Sequence, residues 1–181
     1  MPNNILVTGR PGSGKTTLVV RLVEGLGADG FKAAGFVTEE IREGSLRKGF
    51  MVRDLRGSEA VLAHVDFRGE YRVGKYGVDV EAFEKVALQA LRKARGEADL
   101  LVVDEIGRME LASASFRSTL LEFLDMHVPL VATVHAGRDA FSASLRERDD
   151  VVLYRVGPSN RDHLVEVIDG KIRAALAPRV S

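Results

Sequence analysis

The chain has 181 residues, with 26 Lys and Arg balancing 26 Asp and Glu and a formal net charge of zero at pH 7. A zero balance supplies no overall positive field toward nucleic acid or anionic membrane. The absence of cysteine excludes disulfides, thiolate catalysis and cysteine-held zinc, and the length suits one domain over 1–181 with a sheet covered on both faces.

In chain order, MPNNILVTG leads directly into a first strand at Ile5-Leu6-Val7, which leaves no room for a signal peptide. Apolar stretches stay well short of a membrane span, so a soluble, cytoplasmic protein is expected. The strand runs into GRPGSGKTT at 9–17, matching G-x-x-x-x-G-K-[ST] at Gly9, Gly14, Lys15 and Thr16. A helical pattern follows at Leu18, Val19, Leu22, Val23 and Leu26. Strand, glycine-rich turn and helix together aim backbone N–H groups and a positive dipole end at one anion. The candidate phosphate-binding residues are Gly9, Arg10, Pro11, Gly12, Ser13, Gly14, Lys15, Thr16 and Thr17. Lys15 is expected to reach the β- and γ-phosphates, and the Thr16 hydroxyl to hold Mg²⁺. A nucleoside triphosphate is the predicted ligand.

Gly25, Gly27 and Gly30 end the helical pattern, and 32–38 reads as a second strand. Over 39–77, short β-like pieces alternate with glycine and charge, which predicts β-hairpins inserted before the next helix. Asp79 caps that helix through about Lys93, with Val80, Phe83, Val86, Ala87, Ala90 and Leu91 on its apolar face. Residues 99–107, DLLVVDEIG, are apolar until two adjacent carboxylates. Such a run suits a parallel strand buried on both faces, and open α/β sheets bind ligands at the carboxyl ends of such strands. Asp104 is the candidate Mg²⁺ partner, and Glu105 the group that polarises an attacking water. Together with the P-loop, this pair predicts hydrolysis.

Ser113 or Ser115 opens a helix carrying Phe116, Leu120, Phe123 and Leu124. Residues 129–134 form a buried strand ending at His135, and 151–156, VVLYRV, a last strand. Ser159 and Asp162 read as a capping box for a terminal helix with Leu164, Val167, Ile168, Ile172 and Leu176 inward. The sum is an α/β fold of five parallel strands with crossover helices and a β-rich insertion. In P-loop proteins with a glutamate beside the Walker B aspartate, an additional strand separates the P-loop and Walker B strands. Residues 129–134 fit that strand, making His135 or Thr133 the sensor of the γ-phosphate. The histidines at 64, 127, 135 and 163 lack metal-ligand spacing, which argues against zinc.

Taken together, these segments resemble the thermophile-type nucleoside-triphosphatase family, whose vertebrate members are called cancer-related nucleoside-triphosphatase. The resemblance covers nearly the whole chain. It rests on GRPGSGKTT, GFVTEEIREGSLRKGFMV at 35–52, KYGVDVEAFE at 75–84, VVDEIGRMEL at 102–111, ATVH at 132–135 and NRDHL at 160–164. It implies a RecA-like P-loop three-layer sandwich and Mg²⁺-dependent hydrolysis of ATP, GTP and other triphosphates with loose base preference. Asp104 is then the metal aspartate, Glu105 the base, and Asn160 with Arg161 the pair beside the nucleobase, Arg161 stacking over its face. Thr38, Glu39, Arg42, Lys48 and Phe50 stand at the family's signature positions in the insertion. Arg42, Arg138 and Arg146 compete as the arginine that assists the γ-phosphate. A monomer or small homo-oligomer without a nucleic-acid partner is expected. A nucleotide or small-molecule kinase on the same P-loop is the alternative enzyme, and a partner-activated nucleotide switch the alternative outside catalysis.

Overall fold

A computed structural model describes residues 3–137 and 139–177. Strand β1 (Asn4–Thr8) leads through the glycine-rich turn to helix α1 (Lys15–Ala28). Strands β2 (Ala33–Glu43), β3 (Leu46–Asp54), β4 (Glu59–His64), β5 (Arg72–Val73) and β6 (Tyr76–Val78) precede α2 (Val80–Ala94). Strand β7 (Leu100–Ile106) is followed by a 3-10 turn at Glu110–Ala112 and by α3 (Ala114–Leu124). Then come β8 (Leu130–Val134), α4 (Ala140–Arg146), β9 (Val151–Arg155) and α5 (Arg161–Leu176).

These strands form one sheet in the order β5-β6-β4-β3-β2-β7-β8-β1-β9. The pairs β1–β8, β1–β9, β2–β7 and β7–β8 are parallel, so the five parallel strands expected from the sequence are present. Strand β8 lies between β1 and β7, as the placement of residues 129–134 required. The uniformly apolar runs explain this centre. β1 and β8 are buried at every position and β7 at all but Glu105, because helices cover both faces.

On one face α1 and α5 pack Leu18, Leu22, Ile168 and Ile172 against Val7 and Val102. On the other, α2 and α3 meet β2 through Phe36, Phe83 and Phe116. Their rings are 5.3–5.7 Å apart and packed edge to face, the arrangement that ring quadrupoles favour. The result is the expected three-layer sandwich. Asp79 caps α2 by accepting from the Ala82 N–H at 2.9 Å. Asp79→Ala is expected to cost about 1 kcal/mol, read as a lowered urea midpoint at unchanged slope. Of the two serines proposed to open α3, Ser113 does so, accepting from the Phe116 N–H at 2.9 Å.

The hairpins predicted over 39–77 are built into the same sheet. β2 runs on to Glu43 and pairs antiparallel with β3, which pairs with β4, so the insertion forms the antiparallel half of the sheet. Val52, Leu62, Ala63 and Val78 are buried there in one core with α2. β2 leaves β7 after Phe36 pairs with Val103. At this register Glu39 is level with Ile106 at the end of β7, so the stretch from Glu40 to Glu43, at about 3.3 Å per residue, projects past the carboxyl ends of the parallel strands.

The predicted capping box at the last helix does not form. Helix α5 starts at Arg161 after Asn160, and no side chain caps it. Asn160 Oδ1 accepts from the Gly157 N–H at 2.8 Å, and Nδ2 donates to the Arg155 carbonyl at 3.0 Å. A local Asx-type turn has displaced the cap, and Asp162 pairs with Arg21 and Arg161 instead. Leu164, Ile168 and Ile172 are buried as expected, while Val167 is only half-buried. Among the described residues, no helix is long and apolar enough to cross a membrane.

Candidate functional site

The turn after β1 is shaped by glycine. Gly14 has φ +94°, and a Cβ there would stand 2.7 Å from Arg161 Cδ, so both conformation and space demand glycine. Gly14 also serves as N-cap of α1 without any side-chain cap bond, which leaves the first N–H groups of the helix facing the turn. Lys15 is buried. Its Nζ donates to the Gly9 carbonyl at 3.4 Å and stands 3.8 Å from Glu105 Oε2. The P-loop lysine and the Walker B glutamate thus meet across β8.

At the end of β7 the ladder to β8 shifts register between Val103 and Ile106. Irregularities of this kind re-aim side chains at the edge of a site. Here the two adjacent carboxylates part company: Asp104 is fully buried, and Glu105 reaches Lys15. The Thr133 hydroxyl donates to Asp104 Oδ1, whereas Oδ2 is buried without a hydrogen-bond partner. Burial pushes the Asp104 carboxyl up to about 6, the Thr133 and Thr16 hydroxyls pull it down, and the Glu105 charge adds to the rise. An orphaned carboxylate oxygen, with a threonine hydroxyl beside the same group, suits a hard oxygen-seeking cation. The residues present therefore fit Mg²⁺.

Glu110 is a member of this cluster that the sequence reading did not single out. It is buried, and its Oε2 accepts from the Gly107 N–H at 3.1 Å. A Cβ on Gly107 would stand 2.9 Å from Glu110 Oε2 and 3.3 Å from Glu105 Oε1, so the two carboxyls flank that glycine closely. Burial first, then the Glu105 charge, pushes Glu110 up to about 8. In the sequence, Glu110 stands only inside the segment VVDEIGRMEL at 102–111, with no spacing of its own to mark it.

The remaining candidates separate in space. Arg161 lies against Gly14, and Asn160 holds the turn between β9 and α5 beside the P-loop. His135 Nε2 meets Asp139 Oδ2 at 2.7 Å and Ser142 Oγ at 3.2 Å, and Nδ1 accepts from the Gly137 N–H at 3.2 Å. Its ring is therefore occupied by the loop into α4. Arg146 donates to the carbonyls of His135 and Gly137, stapling the same loop. Arg42 pairs with Glu40 and donates to the Ser45 carbonyl at the hairpin tip. Arg42 is thus roughly 13 Å beyond Thr38 at strand rise. Arg138 lies outside the described residues. Arg10, Pro11 and Gly12 are exposed at the outer rim of the turn, with Thr17, while Ser13 is buried.

A parallel sheet, a P-loop with its lysine seated, and an Asp-Glu pair one strand away define a P-loop nucleoside-triphosphatase. The profile of a family described as NTPase matches residues 4–168. Nucleoside-triphosphatase THEP1 from Thermofilum pendens is 48% identical over 178 residues, 96% of this chain and 97% of that protein. The THEP1 of Thermotoga maritima is 42% identical over 164 residues, covering 91% and 92%. The crystal structure of THEP1 from Aquifex aeolicus superposes with a TM-score of 0.82 at 38% identity, over 91% of this chain and 96% of that one. The solution structure of a human cancer-related nucleoside triphosphatase gives 0.82 at 35% identity, over 94% and 97%. The chain belongs to the THEP1 nucleoside-triphosphatase family, as its motifs predicted.

Proposed function

We propose that this protein hydrolyses the γ-phosphate of nucleoside triphosphates of several bases, with Mg²⁺ and with Glu105 orienting the attacking water. The observation that carries the reading is the 3.8 Å approach of Lys15 Nζ to Glu105 Oε2. It brings a phosphate-binding cation and a proton acceptor to opposite sides of one small space at the carboxyl ends of β1 and β7. The turn from Gly9 to Thr17 would cradle the phosphates through its N–H groups. Lys15 would exchange its contact with Glu105 for the β- and γ-phosphates. Thr16 and Asp104 would hold the Mg²⁺, which supplies charge neutralisation at the bridging and γ oxygens. Glu105, half-exposed beside them, is free to accept a proton from water.

Of the two sensor candidates, Thr133 would act beside the metal, since its hydroxyl donates to Asp104. His135, the other sensor candidate and a candidate catalytic residue, has its ring bonded to Asp139 and Ser142 and would have to leave them to reach the γ-phosphate. Arg161, packed on Gly14, is placed for the nucleoside, with Asn160 bracing its turn. In the ligand-free chain Arg42 pairs with Glu40 and Arg146 with the His135 and Gly137 carbonyls, so either would have to leave those partners to reach the γ-phosphate.

The test is phosphate release from ATP, GTP, CTP and UTP with Mg²⁺ or with EDTA, run with and without a nucleoside acceptor. Mg²⁺-dependent release from several triphosphates is expected, with no label on the acceptor. Transfer to the acceptor would replace the hydrolase with a kinase. Binding without release would favour a partner-activated switch.

A further inference from the structure

A cleft of about 360 Å³ opens beside the end of β7, and no P-loop residue lines it. Three segments distant in sequence enclose it: the β5–β6 hairpin with Tyr71 and Arg72, the connection from β7 into α3 with Arg108 and Arg117, and the start of α4 with Asp139 and Phe141. Arg72 donates to the carbonyls of Phe67 and Lys75 at 3.1 and 2.8 Å, and Arg117 to the Leu111 carbonyl. Backbone carbonyls therefore orient two of the guanidinium groups without cancelling their charge. Arg108 is exposed. Among the described residues, none of the three arginines has a carboxylate partner. Asp139, among the described residues the single acidic group lining the cleft, is committed to His135 and to the Ser142 N–H.

The lining therefore combines surplus positive charge with two aromatic side chains. Guanidinium forks match the oxygens of a phosphate dianion, and aromatic walls match a flat ring. The volume lies at the lower end of small-molecule sites, roughly 300–1,000 Å³, and is generous for a bare phosphate ion. Pre-oriented guanidiniums lower the entropy cost of binding. We propose that this cleft binds an organic phosphate monoester carrying a ring, of the nucleoside monophosphate class, while the P-loop holds its own nucleotide. Its lining includes neither a P-loop residue nor Asp104 or Glu105, and its occupancy is read by binding rather than by turnover.

The experiment begins by measuring Mg²⁺-dependent binding of a non-hydrolysable ATP analogue, so that a failure of the P-loop reading is seen by itself. AMP, adenosine and inorganic phosphate are then each titrated calorimetrically into protein saturated with that analogue. AMP should bind at one site, with adenosine and phosphate at least about 10-fold weaker. Arg108→Ala should weaken AMP by about 10-fold with unchanged affinity for the analogue, which also shows that the variant is folded. Arg108→Lys, which keeps charge but loses the fork, should fall between. The proposal is overturned by absence of AMP binding to the saturated protein, or by AMP binding that ignores Arg108→Ala. Phosphate binding as tightly as AMP would overturn the monoester assignment in favour of a product-phosphate site.

Discussion

Glu105→Gln is expected to lower turnover by about 10²–10⁴-fold, the usual worth of a positioned general base, with nucleotide affinity unchanged or tighter. Glutamine preserves the volume and leaves the packing of β7 intact, since the side chain is partly solvent-exposed. It cannot take a proton from water. It also removes the carboxylate that stands 3.8 Å from Lys15 Nζ and competes with the phosphates for that ammonium. Turnover and affinity should therefore separate, which general destabilisation would not produce. Single-turnover phosphate release, alongside binding of a fluorescent triphosphate, makes the comparison. A parental rate in this variant would remove Glu105 from the role of base.

Glu110→Gln is expected to abolish a pH dependence of stability that the parent shows. The folded protein keeps Glu110 protonated up to about pH 8, whereas the reference value for a free glutamate is 4.5. Between those values folding takes up a proton, so stability falls as pH rises from the lower value through the upper one. Below that window the penalty is absent, and above it the penalty is complete. The charges that face this carboxyl are Glu105 and Asp104, both of which add to the cost of ionising it. The Gln variant should accept the same Gly107 N–H through its amide oxygen and carry no ionisation cost. At pH 9 it should be more stable than the parent by on the order of 5 kcal/mol, with a difference of less than about 1 kcal/mol at pH 5. Urea midpoints at the two pH values decide, and parallel pH profiles for the two proteins would contradict the assignment.

Much of the fold was legible because its centre obeys local rules. The apolar runs at 5–7, 99–107 and 129–134 read as strands, the second as one buried on both faces, and the glycine and lysine of the turn announce their geometry by spacing. The Asp79 cap was equally plain, since one side chain and one N–H three residues on decide it. Where two local bonds compete, sequence was insufficient. Ser159 and Asp162 match a capping box, yet Asn160 turns back to Gly157 and moves the helix start. Glu110 eluded the reading for a different reason: its significance is burial beneath Gly107, a tertiary fact with no periodic signature. The hairpins at 39–77 were visible as pieces, but their union with the parallel sheet depends on β2 pairing with β7 on one side and β3 on the other. The cleft behind Arg108 was invisible for the same reason, being assembled from three remote segments.

The interposition of β8 also makes the width of the reaction space a property of the main chain. Two interstrand steps of about 4.8 Å each separate β1 from β7, whatever side chains line the gap. That spacing leaves room for a tetrahedral anion with a hydrogen-bonded contact on either flank. Exchanging Lys15, Asp104 or Glu105 for a near-isostere therefore alters the polarity of the gap while its span stays set by hydrogen-bonded backbone. The scaffold acts as a fixed-gauge frame, on which a series of substitutions isolates electrostatics from distance.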